Sequence, residues 1–237
     1  MTEELKGQLA VVTGAARGIG AAISQKLASM GATVLLVARD KAALTEVQSQ
    51  IQSAGGTAHI APLDLLDESS INSLAETIKT NHGRCDILVN NAGIGIIGKP
   101  LTEMSSADWD KTMGTNLRGP YLMIRALAPL MIAAQYGHII NISSLAGRNP
   151  LPNGAAYSAS KWALNGLTYS VAEELRPHNI RVSVVAPGSV NTTFGSNAAD
   201  NPRKIQPSDV AHAVAMLVTQ APQSFVSEVL IRPTQKP

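Results

Sequence analysis

The stretch "QLAVVTGAARGIG", Gln8 to Gly20, passes from an apolar run through a glycine-rich loop into residues with helical spacing. "QLAVVTG" reads as a β-strand, because its apolar residues form one continuous β-branched run. After the loop, Ile19, Ile23 and Leu27 recur every fourth residue, the spacing of one helix face, and Gly31 supplies a helix stop. Between the two, Gly14, Gly18 and Gly20 supply a turn and let the backbone approach a pyrophosphate. Amides at the helix start can then bind its charge. Three residues separate Gly14 from Gly18, so the spacing is not G-x-G-x-x-G; the strand–loop–helix setting carries the reading.

The same alternation continues along the chain. "TVLLVA", "TAHIAPLD", "DILVNNAG", "HIINISS", "IRVSVVAPG" and "VSEVLIR" read as further strands. Between them lie helical stretches, including "KAALTEVQSQIQSAG", "SSINSLAETIKTNHG", one long helix over about 109–135, one over about 155–176 and one over about 208–219. Strands that alternate with helices, and that are apolar throughout, belong to a parallel sheet covered on both faces. The chain has no internal repeat and no linker. The expectation is α/β: a single doubly wound, Rossmann-type domain over residues 1–237, with a mostly parallel seven-stranded sheet flanked by helices. In such sheets ligands sit beyond the carboxyl ends of the strands.

Composition excludes several classes. The 237 residues suffice to bury a core without disulfides or metals. Net charge is only +2 and no basic block occurs, so nucleic acid is not an expected partner. Two Trp and two Phe leave little aromatic surface for stacking on bases. No apolar stretch is long enough to span a bilayer, and the polar start "MTEELKGQ" lacks an apolar signal region. Cys85 is the only cysteine; it cannot form an internal disulfide, fits a reducing, cytoplasmic setting and reads as a packing residue. The five histidines lack metal-ligand spacing, so no metal site is expected. H-E-x-x-H, G-x-S-x-G and C-x-x-C are absent.

The end of the second strand reads the cofactor's ribose in such folds: an acid there favours NAD, a nearby arginine NADP. Here the strand runs into "VARD", with Ala38 at its end, then Arg39 and Asp40. Arg17 stands inside the glycine loop. Two arginines can clamp one phosphate by charge-assisted bonds, which predicts NADP(H). Asp40 is the rival feature, which would favour an NAD-dependent enzyme if the strand ended later.

"ISSLAGRNPLPNGAAYSASKW", Ile142 to Trp162, opens with two serines and ends with Tyr157 and Lys161 four residues apart. On a helix these two share a face. A nearby ammonium favours the phenolate of a tyrosine whose ordinary pKa is near 10.

Together, "TGAARGIG", "NNAG" (Asn90–Gly93), Asn116 in "TNLRG", Ser144, the Tyr157–Lys161 pair and "PGSVNT" (Pro187–Thr192) resemble the short-chain dehydrogenase/reductases, over nearly the whole chain and in order. Within that family the chain is most similar to compact members such as 3-oxoacyl-[acyl-carrier-protein] reductases and related ketone reductases. It departs from them at the end, where "LIRPTQKP" replaces a strand leading into "DGG". The resemblance implies hydride transfer between NADP(H) and a carbonyl or secondary alcohol. Tyr157 would be the general acid/base, Ser144 would bind the substrate oxygen, and Lys161 would hold the nicotinamide ribose. Asn116 would hold a water that connects Lys161 to solvent. Asn90 would cap the adenine side and Asp64 would contact the adenine amino group. Pro187 and Gly188 would shape the nicotinamide pocket, and Thr192 would bond the carboxamide. Ile19, Ala92, Gly93 and Val190 complete the implied cofactor contacts.

The resemblance leaves substrate choice open. Segments Ile94–Pro100, Leu145–Asn153 and Ser189–Asn201 are expected to line the substrate pocket, and Arg148 could attract an anionic group or stand as a surface residue. Two other functions are weighed: a non-catalytic cofactor-binding regulator or scaffold, and epimerisation or dehydration through bound NAD. The first should have lost Ser, Tyr or Lys; the second usually carries a larger substrate domain. The helices over 109–135 and 155–176 are apolar on more than one side, and family members pair these helices between subunits. A homodimer or homotetramer is expected.

Overall fold

In the computed structural model, which describes residues 3–194 and 201–235, seven strands form one sheet. They are β1 (Leu9–Thr13), β2 (Thr33–Ala38), β3 (Thr57–Pro62), β4 (Ile87–Asn90), β5 (Gly137–Ile142), β6 (Ile180–Pro187) and β7 (Glu228–Ile231). Their order is β3-β2-β1-β4-β5-β6-β7, and every pairing is parallel. The chain builds outward from β1 to β3 and then returns to place β4 on the other side of β1. That reversal opens a crevice above the carboxyl ends of β1 and β4, where ligands bind in sheets of this kind.

Helices α1 (Gly18–Ser29), α2 (Lys41–Ser53) and α7 (Pro207–Val218) contribute to one apolar layer; α3 (Glu68–His82), α5 (Gly119–Ala134) and α6 (Ala155–Leu175) contribute to a second. The strands explain why both layers exist. Successive side chains point to opposite faces, so Val12, Val34 and Leu36 pack with Ile23, Leu44 and Val214, while Val11, Leu35 and Val37 pack with Ile71, Leu122 and Leu127. Each fully buried Leu or Ile stabilises the fold by roughly 1.5–3 kcal/mol. An alternating polar pattern would strip one layer away.

The expected helix over 109–135 is three pieces. α4 (Ser106–Met113) starts earlier, because the Ser105 hydroxyl accepts from Asp108 N at 3.1 Å and caps it. A π-helical segment, Gly114–Arg118, follows, and then α5. Gly119 N donates to Gly114 O, the i→i−5 bond of a π turn, and Pro120, in the first turn of α5, has no amide hydrogen to give the Asn116 carbonyl.

Candidate active site

The glycine loop is held by close packing and by β4. Gly14 has φ +66°, and a Cβ there would stand 2.8 Å from Ala92 Cα. A Cβ on Gly20 would stand 2.2 Å from the Gly14 carbonyl oxygen. Asn91 ties the loop down: its Nδ2 donates to Thr13 O at 2.9 Å and Gly14 O at 3.2 Å. In return, Thr13 Oγ1 accepts from Asn91 N at 3.0 Å and Ala92 N at 3.1 Å. At the start of α1, Arg17 is the N-cap residue, but its side chain makes no capping bond. The loop amides therefore lack a side-chain acceptor at a helix N-terminus, a fit for phosphate.

A cavity of about 720 Å³ lies over this loop. Gly14, Arg17, Gly18, Ile19, Arg39, Asp64, Ala92, Gly93 and Thr192 line it. Gly20 stands behind the loop, where its contribution is packing. β2 ends at Ala38 as expected, and Arg39 projects beyond it, 66% exposed and 3.9 Å from Asp64. Asp40 also borders the cavity, but its carboxylate caps α2 by accepting from Ala43 N at 3.1 Å. Asp64 accepts from Leu66 N at 3.0 Å.

A second cavity, about 460 Å³, adjoins the first; Asn91, Gly93, Thr192 and Phe194 border both. It is lined by Ser144, Tyr157, Lys161, Pro187, Gly188 and Val190. Ser144 follows β5, caps the turn Leu145–Gly147 and forms a hydrogen bond with Tyr157. Burial pushes the Tyr157 phenol up, and the bond to Ser144 partly opposes it. Lys161 is also buried; its Nζ donates to Ile142 O at 2.9 Å and lies 5.8 Å from the centre of the Tyr157 ring. Burial lowers its pKa from 10.5 to about 8, so it remains mostly an ammonium at pH 7. Ser143 borders this cavity too, with its hydroxyl turned to Lys161 O at 3.5 Å.

Asn116, in the π-helical segment, is fully buried. Its Oδ1 accepts from Ile94 N at 2.8 Å, and its Nδ2 donates to Ile94 O at 2.9 Å and Ser160 Oγ at 3.0 Å. The side-chain amide is therefore engaged in joining the loop after β4 to α6.

One expected cofactor contact is placed elsewhere. Asn90 does not reach the cofactor cavity with its side chain: it is buried and donates to Asn141 Oδ1 at 2.9 Å, because β4 and β5 pair these residues directly. Asn91, one residue on, borders both cavities instead. Of the two readings of Arg148, the structure favours the surface residue: it is exposed, does not border the second cavity, is ion-paired with Glu228 and donates to Tyr169 Oη at 2.6 Å. The sequence reading also missed Lys204, which lies beyond the three segments and borders the second cavity. Of the expected pocket segments, Ile97, residues 145–146 and 149–151, and residues 189–190, 192 and 194 border that cavity; 195–200 lie outside the described residues. Phe194 was within the segment but unremarked, and its ring centre is 5.8 Å from that of Tyr157.

Among the described residues, no helix is long and apolar enough to cross a membrane. The family model for the short chain dehydrogenases matches residues 8–203. The chain is 35% identical to an uncharacterized oxidoreductase of Staphylococcus saprophyticus over 232 residues, 97% of this chain and 99% of that protein. It is 56% identical to a metagenomic short-chain oxidoreductase solved in complex with NADP, with TM-score 0.89 over 98% of this chain and 100% of that one. It is 28% identical to an alcohol dehydrogenase from the archaeon Thermococcus sibiricus complexed with 5-hydroxy-NADP, with TM-score 0.90 over 97% and 98%. A doubly wound parallel sheet with this crevice defines a Rossmann-type α/β protein. The chain belongs to the short-chain dehydrogenase/reductase family and is an oxidoreductase of that family.

Proposed function

We propose that this chain is one cytoplasmic domain that uses NADP(H) to interconvert a carbonyl and a secondary alcohol. The observation that carries the reading is the adjacency of two cavities: one over the glycine loop, the other holding Ser144, Tyr157 and Lys161. The cofactor, when bound, supplies or accepts the hydride. The uncapped amides at the start of α1 would hold its pyrophosphate. Arg17 and Arg39 would hold a 2′-phosphate; the bound NADP of the 56% identical relative supports this choice. Asp40 is occupied as a helix cap, which weakens the NAD alternative. Asp64 would sit against adenine, and Thr192, between the two cavities, would meet the carboxamide.

The chemistry follows from the environments. In reduction, Tyr157 must donate a proton to the developing alkoxide, and burial favours the protonated phenol it needs. Ser144 can bond both the phenol and the substrate oxygen, and so stabilise the oxyanion. In the reverse direction the Lys161 ammonium favours the phenolate. Asn116 acts by positioning: it fixes Ile94 and Ser160, and its carbonyl would hold the water through which Lys161 regains protons.

The chain would work as a homodimer or homotetramer. Trp109, Tyr121, Trp162 and Tyr169, on α4, α5 and α6, are exposed aromatic residues of the kind interfaces cover. The test of function is separate titration with NADPH and NADH by nicotinamide fluorescence, followed by a panel of ketones and aldehydes with the preferred cofactor. NADPH preference with turnover supports the reading. Tight NADPH binding with no turnover on a broad panel would instead support a non-catalytic regulator.

A further inference from the structure

The second cavity contains a second lysine. Apart from Tyr157, the only ionisable side chains that border it among the described residues are Lys161 and Lys204, and no aspartate or glutamate does. Lys161 is accounted for by its bond to Ile142 O. Lys204 is half-buried, and none of the ion pairs among the described residues includes it. Arg148, the cation the sequence offered, is neutralised by Glu228.

The position of Lys204 is built into the fold. Its amide donates to Asn201 O at 3.1 Å. The next residue, Ile205, is buried and forms a parallel bridge with Val190: Ile205 N donates to Ser189 O at 3.1 Å, and Asn191 N donates to Ile205 O at 2.8 Å. This bridge fixes Lys204 beside the end of β6. Lys204 does not border the glycine-loop cavity, so cofactor phosphates do not account for it. Most of the remaining wall is apolar, including Ile97, Leu145, Leu151 and Phe194. A lysine bordering such a wall favours an anionic ligand over a neutral one, because a neutral ligand that displaces water from the charge offers nothing in return.

Resting on the carbonyl reductase reading above, we propose that the substrate is an oxo acid: a carbonyl at Ser144 and Tyr157, and a carboxylate paired with Lys204. A carboxylate fits better than a phosphate ester. Among the described residues, the cavity offers one ammonium outside the ion pairs and no arginine fork, whereas a dianion calls for several donors.

The test compares kcat/KM for 4-oxopentanoate and 5-oxohexanoate with their methyl esters, using saturating NADPH. The wild type should favour an acid over its ester by about tenfold or more, the factor expected for one charge-assisted hydrogen bond. Lys204→Met should reduce that ratio by about tenfold, mainly through KM, and Lys204→Arg should restore most of it. Turnover of esters and acids alike would overturn the Lys204 assignment and leave the reductase reading standing; so would parallel losses on both in Lys204→Met. If the panel is not reduced at all, binding decides. Hexanoate and hexanamide are titrated against the NADPH-loaded protein: hexanoate preference that Lys204→Met removes supports the anion site, and equal or absent binding overturns it.

Discussion

The Lys161 ammonium lies 5.8 Å from the centre of the Tyr157 ring and donates to the Ile142 carbonyl at 2.9 Å. One buried cation thus joins the end of β5 to the candidate proton donor. Tyr157→Phe keeps the ring and its contact with Phe194 but removes the hydroxyl. Turnover should fall by at least ~100-fold, as for loss of a general acid, while NADPH affinity stays within a few-fold. Steady-state kinetics and fluorescence titration check this, and retained activity would sink the proposed mechanism.

Arg39 is exposed, and its contact with Asp64 is long, so it contributes little to stability. Arg39→Asp should leave the denaturant midpoint nearly unchanged. It should weaken NADPH by more than about tenfold, the loss expected when a charged phosphate partner is removed, and NADH far less. Equal losses for both cofactors would show that Arg39 does not read the phosphate.

Gly20 has no room for a methyl group: its Cβ would meet the Gly14 carbonyl at 2.2 Å and Asn91 Nδ2 at 2.5 Å. Gly20→Ala should destabilise the fold by roughly 1–3 kcal/mol and weaken both cofactors together, because the loop must shift away from the phosphate. Thermal melts with and without NADPH check this. Unchanged affinity for both cofactors would mean that the loop does not form the phosphate site.

His138, inside β5, has Nε2 3.0 Å from Ser183 Oγ, which itself donates to Val226 O at 2.8 Å. The hydrogen therefore sits on Nε2, and Nδ1 is buried without a partner. Burial, helped by the charge of Arg181, lowers the pKa from 6.5 to about 3. In the unfolded chain the ring takes up a proton below about pH 6.5, in the fold only near pH 3. The unfolded state binds more protons across that window, so stability is lost as pH falls through it. By pH 4.5 the loss from this residue should be roughly 2–3 kcal/mol. Urea midpoints at pH 7 and pH 4.5 should fall less in His138→Leu than in the wild type. Parallel declines would mean that His138 is charged in the fold.

Much of this molecule was legible one residue at a time. The Ile19, Ile23, Leu27 spacing marked α1, and Ala38 marked the end of β2. The Tyr157–Lys161 interval placed both on one helical face and, in the structure, on one cavity. These readings succeeded because they rest on local rules: side-chain period, turn chemistry and helix geometry within a few residues.

What failed depended on neighbours far away in sequence. Nothing within "NNAG" distinguishes Asn90 from Asn91; the β4–β5 register does, by setting Asn90 against Asn141 in the core and leaving Asn91 to fasten the glycine loop. Arg148 admitted two readings, an anion site or a surface residue; Glu228, brought from 80 residues away, favours the second. Lys204 drew no reading from the sequence; the Val190–Ile205 bridge sets it beside Tyr157's cavity. The sequence by itself determined the elements, their alternation and the candidate chemical groups, because backbone and periodic preferences act locally. Only the tertiary structure decided which of those groups face a cavity and which cation Glu228 neutralises, because strand register and long-range pairing set where a side chain points and what neutralises it.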